Sequence, residues 1–291
     1  MAAIEARGLR KTYGATKALD GFDLTVEAGR VLGVVGPNGA GKTTALKAIL
    51  GLTRCEGSLS VLGRDPWTER DALMREASFI ADVAVLPRWL EVSRALDYAA
   101  GVHPRFDRAK AEALLARTDI PRGSRVGRLS KGMVAQLHLS LVMAIDAKLL
   151  VLDEPTLGLD LLYRKRFYET LLDDYFDGQR TIVVSTHQVE EVQHVLTDLV
   201  FARRGRVVLA TSMEAFESRY AEVLVKPESV APARALAPIA ERAVFGRSLF
   251  LFDGADRASL AALGEVRTPG IADVFLAVME APGPGTEGGE R

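Results

Sequence analysis

The chain has 291 residues, 48% of them hydrophobic and 26% charged, with 37 basic and 38 acidic side chains and a net charge of −1. That length suits one large α/β domain plus a small accessory domain, and the even charge balance argues against a nucleic-acid binder working by bulk charge. Cys55 is the only cysteine, which excludes an intramolecular disulfide and suits a reducing compartment. The opening stretch, MAAIEARGLRKTYG, lacks the apolar core of a secretory signal.

In chain order, residues 3–8 and 22–26 read as early strands. Residues 31–35 form a continuous apolar run that ends in the glycine-rich stretch GPNGAGKTT, and an apolar helix follows over residues 45–50. From residue 75 to residue 144 helical patterns dominate. Residues 149–152 and 181–185 are short apolar runs of the kind found in buried parallel strands. The most apolar stretch, 137–152, carries His138, Asp146 and Lys148. It reads as a helix followed by a strand, not as the run of roughly 20 apolar residues that a membrane span needs.

Composition changes after Ser212. Residues 222–225, 231–240, 243–252, 257–263 and 272–281 read as strand, helix, strand, helix, helix, the pattern of a small α+β accessory domain. Residues 282–291 are rich in Pro and Gly and polar, which predicts a disordered tail. There are no repeats.

Gly36, Pro37, Asn38, Gly39, Ala40, Gly41, Lys42 and Thr43, with Thr44 beyond them, fit the Walker A pattern G-x-x-x-x-G-K-[ST]. Glycines let backbone N–H groups turn inward around phosphate oxygens, and the helix N-terminus adds partial positive charge. Lys42 would reach the β- and γ-phosphates of ATP, and Thr43 would offer its hydroxyl to Mg²⁺. A chance glycine-rich turn is the plain alternative. The strand before it and the helix after it argue against that.

Leu149-Leu-Val-Leu-Asp153-Glu154 is an apolar strand ending in two acids, a Walker B pattern. Asp153 would hold Mg²⁺, and Glu154 would act as general base on the attacking water. Alone, such a run is as easily an ordinary strand end; downstream of a Walker A loop it carries more.

Leu129-Ser130-Lys131-Gly132-Met133 then opens a helix. By itself this is an N-cap at Ser130. In this order, however, it resembles the Leu-Ser-Gly-Gly-Gln signature of ABC ATPases, and the resemblance extends over residues 4–209. It implies a P-loop NTPase α/β core with a helical subdomain over about residues 75–145, an ATPase domain over 1–212, an accessory domain over 213–281, and a head-to-tail pair of ATPase subunits. In that pair Ser130 and Gly132 of one copy meet the γ-phosphate bound by the other. The resemblance further implies that Tyr13 stacks on adenine, that Asp160, in Gly158-Leu159-Asp160, belongs to the D-loop that crosses to the second subunit, and that His187 is the switch histidine at the γ-phosphate.

Three positions depart from the family pattern. Asp82 stands where the Q-loop glutamine belongs and is a candidate Mg²⁺ contact; Lys131 and Met133 replace glycine and glutamine; Gln136 replaces an arginine. LSKGM and an acidic Q-loop resemble the export-type branch that pairs with a separate permease. The implied protein is a cytoplasmic ATPase, peripheral on the inner face of the cell membrane through that permease, with ATP and Mg²⁺ as cofactors, a homodimeric partner and no nucleic acid. Residues 86–92, with Trp89, correspond to the surface that receives the permease; a core position for Trp89 is the competing reading. Residues 268–277 are similar to the closing segment of export-type ATPases. The rival functions are an ABC ATPase acting on nucleic acid or ribosomes, and a P-loop kinase for a small molecule.

Overall fold

The computed structural model describes residues 1–81 and 86–280. Asp82 and the tail expected over 282–291 lie outside the described residues. The chain divides into two compact units, Met1–Ala210 and Thr211–Arg291.

In the first unit the elements run β1 (Ala2–Tyr13), β2 (Thr16–Glu27), β3 (Val31–Val35), α1 (Lys42–Ile49), β4 (Glu56–Val61), α2 (Arg70–Met74), β5 (Ala77–Ile80), α3 (Val92–Val102), α4 (Arg108–Ala116), α5 (Lys131–Met143), β6 (Leu149–Asp153), α6 (Leu161–Asp174), β7 (Thr181–Thr186), β8 (Asp198–Arg203) and β9 (Arg206–Ser212). Two sheets result. One has three antiparallel strands in the order β2-β1-β4. The other has six in the order β5-β6-β7-β3-β8-β9, with parallel pairing from β5 through β8.

Every residue of β3, β6 and β7 is buried, as expected for parallel strands covered on both faces. Leu149, Leu150, Val151 and Leu152 are each 0% exposed; truncating one of the leucines to Ala would cost about 2–5 kcal/mol. Register decides what this core presents. Val35 pairs with Thr186 and Asp153 with Ser185, so β3, β6 and β7 end at one edge and deliver Gly36, Glu154 and His187 together. Ligands of open α/β sheets bind at that carboxyl edge.

Residues 75–145 are not uniformly helical. Residues 77–80 form β5, an edge strand of the parallel sheet, because the alternation there is too short to distinguish from a helical turn. The helices begin at Val92 and share a separate core with Leu96, Leu115, Leu137 and Leu141. Leu86 and Leu90 pack against it, while Trp89 is 71% exposed. Trp89 is therefore not a core residue.

In the second unit the order is α7 (Met213–Arg219), β10 (Tyr220–Val225), α8 (Val230–Ala235), β11 (Ala240–Val244), β12 (Arg247–Asp253), α9 (Arg257–Ala261), β13 (Gly264–Arg267) and α10 (Ile271–Glu280). Its antiparallel sheet runs β11-β12-β10-β13. Val223, Val225, Phe250 and Phe252 bury one face together with Ala233 of α8 and Leu260 of α9. The single strand expected over 243–252 is instead a hairpin, because Phe245 and Gly246 both take positive φ, 46° and 77°, as a type I′ turn requires. The helix expected over 231–240 stops at Ala235, and residues 264–267, which fall between the two expected helices, form an edge strand.

Candidate functional site

The loop between β3 and α1 needs its glycines. Gly41, at φ 101°, caps α1, and a Cβ there would come within 2.5 Å of the Ala18 carbonyl oxygen. Only glycine fits such a position without strain. With the loop so turned, Lys42 at the first position of α1 folds back into the cradle. It is 6% exposed, and its Nζ donates to the Gly36 carbonyl oxygen at 2.7 Å.

The two acids that end β6 diverge. Asp153 is 2% exposed and accepts hydrogen bonds at Oδ1 from Ser185 Oγ at 2.6 Å and Thr43 Oγ1 at 3.2 Å. Glu154, at φ 48°, turns the other way; a left-handed conformation costs a non-glycine residue about 1–2 kcal/mol. Its backbone N–H donates to Ser185 Oγ at 3.1 Å, which holds the turn. The Glu154 carboxylate then bridges two partners: Oε1 lies 3.1 Å from Lys42 Nζ, and Oε2 lies 2.7 Å from His187 Nδ1.

Residues 37–44, Glu154 and His187 line one cleft, together with Thr16, Ala18 and Leu157. The remaining sequence-derived candidates lie elsewhere. Tyr13, at the end of β1, is half exposed, its hydroxyl 3.3 Å from Thr53 Oγ1. Ser130 caps α5 by accepting from the Met133 N–H at 3.2 Å, and the ring of Tyr163 lies against Gly132. Asp160 caps α6, accepting from the Tyr163 N–H at 3.1 Å. None of Tyr13, Ser130, Gly132 or Asp160 lines the cleft. Ser185 binds both acids, and little in the sequence marks it. Its signal was a small polar residue near the end of an otherwise apolar strand.

A sequence model described as ABC transporter matches residues 19–157. Nod factor export ATP-binding protein I of Cupriavidus metallidurans is 32% identical, the match covering 94% of this chain and 96% of that protein. The chain belongs to the ABC transporter ATP-binding family. Daunorubicin resistance ATP-binding protein DrrA3 of Streptomyces coeruleorubidus is 34% identical over 212 residues, covering 71% of this chain and 67% of that one. Among solved structures, the ATP-binding subunit of an ABC transporter superposes with a TM-score of 0.66 at 26% identity, covering 74% of this chain and 92% of its own. An ATP-binding cassette of an ABC transporter in its ADP conformation shares the fold at 20% identity, with a TM-score of 0.63 over 74% and 92% of the two chains.

As an ABC transporter ATP-binding subunit, the chain binds nucleotide, hydrolyses ATP and works with a transmembrane permease. No helix among its described residues is long and apolar enough to cross a membrane. These relatives do not favour an ATPase acting on nucleic acid or ribosomes, or a small-molecule kinase.

Proposed function

We propose that this subunit drives export through a separate permease from the inner face of the membrane, working as a homodimer with no nucleic-acid partner. The observation that carries the catalytic part is the Lys42–Glu154–His187 chain in the loop cleft. Lys42 holds the β- and γ-phosphates. Glu154 accepts a proton from water as the water oxygen attacks the γ-phosphorus and the bond to ADP breaks. His187 orients Glu154 and the γ-phosphate. The names of the relatives, a Nod factor exporter and a daunorubicin resistance protein, support the outward direction.

Mg²⁺ suits the donors. Asp153 is a buried carboxylate whose described side-chain partners are two hydroxyls, those of Thr43 and Ser185. Hard divalent cations take few protein oxygens when phosphates supply the rest. Thr43 and Asp153 would hold the ion, which neutralises charge on the transferring phosphoryl group. Asp82 is a further candidate on sequence grounds alone; a Mg²⁺ titration of turnover in Asp82→Asn that superimposes on the parent's would remove it.

Ser130, Gly132 and Asp160 lie outside the cleft, which supports a composite site completed by a second copy. In that arrangement Tyr13 stacks on adenine and Trp89 stands on the permease-facing surface. We assign the ATPase to residues 1–212 and an accessory role to 213–281; the division between Ala210 and Thr211 supports this. Purification of the native membrane complex tests the reading. A polytopic permease and two copies of this chain are expected. A complex without a permease would overturn it.

A further inference from the structure

Arg164 ties together the two loops that carry Glu154 and His187. It lies in the first turn of α6, and its side chain is 20% exposed. Nε donates to the Leu159 carbonyl oxygen at 2.6 Å, and Nη1 donates to Gln188 Oε1 and to the Glu191 carboxylate. The other oxygen of Glu191 accepts from Thr156 Oγ1 at 3.4 Å. One guanidinium and one carboxylate therefore join the loop after β6 to the loop after β7. Thr156 is two residues from Glu154, and Gln188 adjoins His187.

We infer that the Arg164–Glu191 pair is a positioning clamp that sets the separation of Glu154 and His187 during hydrolysis, a reading that rests on the catalytic roles proposed above. The Glu154 backbone N–H still donates to the Ser185 carbonyl oxygen of β7 at 3.2 Å, but the side chains of Glu154 and His187 lie beyond Asp153 and Ser185, the last residues paired between the two strands. Their 2.7 Å contact must hold while Lys42 exchanges Glu154 for phosphate. Arginine is suited to the task because its planar fork serves several acceptors in fixed directions, which an ammonium cannot do. The Leu159 bond extends the clamp to residues 158–160, the segment proposed to meet the second subunit. A displacement there would reach the His187 loop through the same guanidinium.

The test uses the purified full chain. Arg164→Lys keeps the charge and loses the fork; Glu191→Gln keeps the shape and loses the charge. Each protein is titrated with ADP by calorimetry, giving affinity and the fraction of chains that bind, and kcat is expressed per binding chain. Each variant should lose about 10–100-fold in kcat, the effect of sub-ångström to ångström misplacement. ADP affinity should stay within about threefold (under 1 kcal/mol), and the double variant should be no slower than the slower single, since the pair acts as a unit. Unchanged kcat per binding chain, a loss confined to ADP affinity, or multiplying losses in the double variant would overturn the clamp. Two controls separate this from failure of the site itself. If Lys42→Ala still binds ADP and Glu154→Gln still turns over, the catalytic assignment falls and the clamp with it. If both controls behave as expected and Arg164→Lys turns over normally, the clamp alone is wrong.

Discussion

Lys42 Nζ and Glu154 Oε1 form an ion pair 3.1 Å apart, with side chains only 6% and 11% exposed. The residue proposed to hold phosphate is thus engaged by the residue proposed to activate water, and ATP must displace one from the other. Lys42→Ala should weaken ATP binding by about 100-fold, since a hydrogen bond to a charged group contributes up to about 3 kcal/mol. Glu154→Gln should bind ATP at least as well as the parent, because a neutral amide competes for Lys42 less strongly than a carboxylate, and should hydrolyse it about 10²–10⁴-fold more slowly. Calorimetry and steady-state turnover check both; parent-like turnover in Glu154→Gln would remove it as base.

The slow Glu154→Gln variant should also reveal the pair. With ATP and Mg²⁺ it should elute from a sizing column with light-scattering detection as a dimer. Ser130→Arg should abolish that shift without changing ADP affinity, because Ser130 is outside the cleft of its own chain. A monomer under all nucleotide conditions contradicts the homodimer.

Ser185 deserves a direct test because it binds both acids: Oγ donates to Asp153 at 2.6 Å and accepts from the Glu154 N–H at 3.1 Å. Ser185→Ala removes one of the two hydroxyls that donate to the buried Asp153 carboxylate, a loss of about 1–3 kcal/mol, while the Glu154 N–H keeps the Ser185 carbonyl oxygen at 3.2 Å. The expected result is a lower melting temperature and a several-fold higher Mg²⁺ requirement for turnover. An unchanged Mg²⁺ titration would mean that Asp153 needs no such support.

Glycine-driven and burial-driven features were legible in the sequence, and contacts made across the fold were not. GPNGAGKTT announces its loop because its backbone chemistry is local, and Leu149–Leu152 announces a strand because all four residues are apolar. Ser185 reads only as the last residue of the apolar run 181–185, since its partners Asp153 and Glu154 are brought to it by strand register. Arg164 lies on α6 while Gln188 and Glu191 lie in the segment after β7, and no sequence spacing links them. Residues 77–80 and 264–267 were missed as strands because four residues carry too little periodicity, and tertiary pairing decides them.

Glu76 supplies a pH prediction. It precedes β5, its carboxylate pairs with Lys148, which leads into β6, and it contacts Arg64 at 3.2 Å. The Lys148 hydrogen bond, with charge from Lys148 and Arg64, holds its pKa below the ordinary 4.5, against the opposing effect of burial. A carboxyl with a lowered folded-state pKa stabilises above its unfolded value and loses that contribution as pH falls through the folded one. Glu76→Gln should therefore melt below the parent at pH 7, and the gap should close as pH drops below 4.5. A gap that stays constant with pH would assign the effect to packing and not to charge.

The hairpin between β11 and β12 turns on a residue ill suited to it. Phe245 takes φ 46° and is fully exposed, so it adopts a left-handed conformation with no burial in return. Type I′ turns favour Asn-Gly because asparagine tolerates that region, and Gly246 already fills the second position at φ 77°. Phe245→Asn should stabilise the second unit by about 1 kcal/mol, which for a domain of this size raises its melting temperature by roughly 4–8 °C. Gly246→Val should do the reverse, since a β-branched residue is poorly accommodated at positive φ. Differential scanning calorimetry of the full chain resolves both shifts. If Phe245→Asn instead lowers the melting temperature, the exposed ring is making a stabilising contact in solution that outweighs the left-handed backbone strain at Phe245.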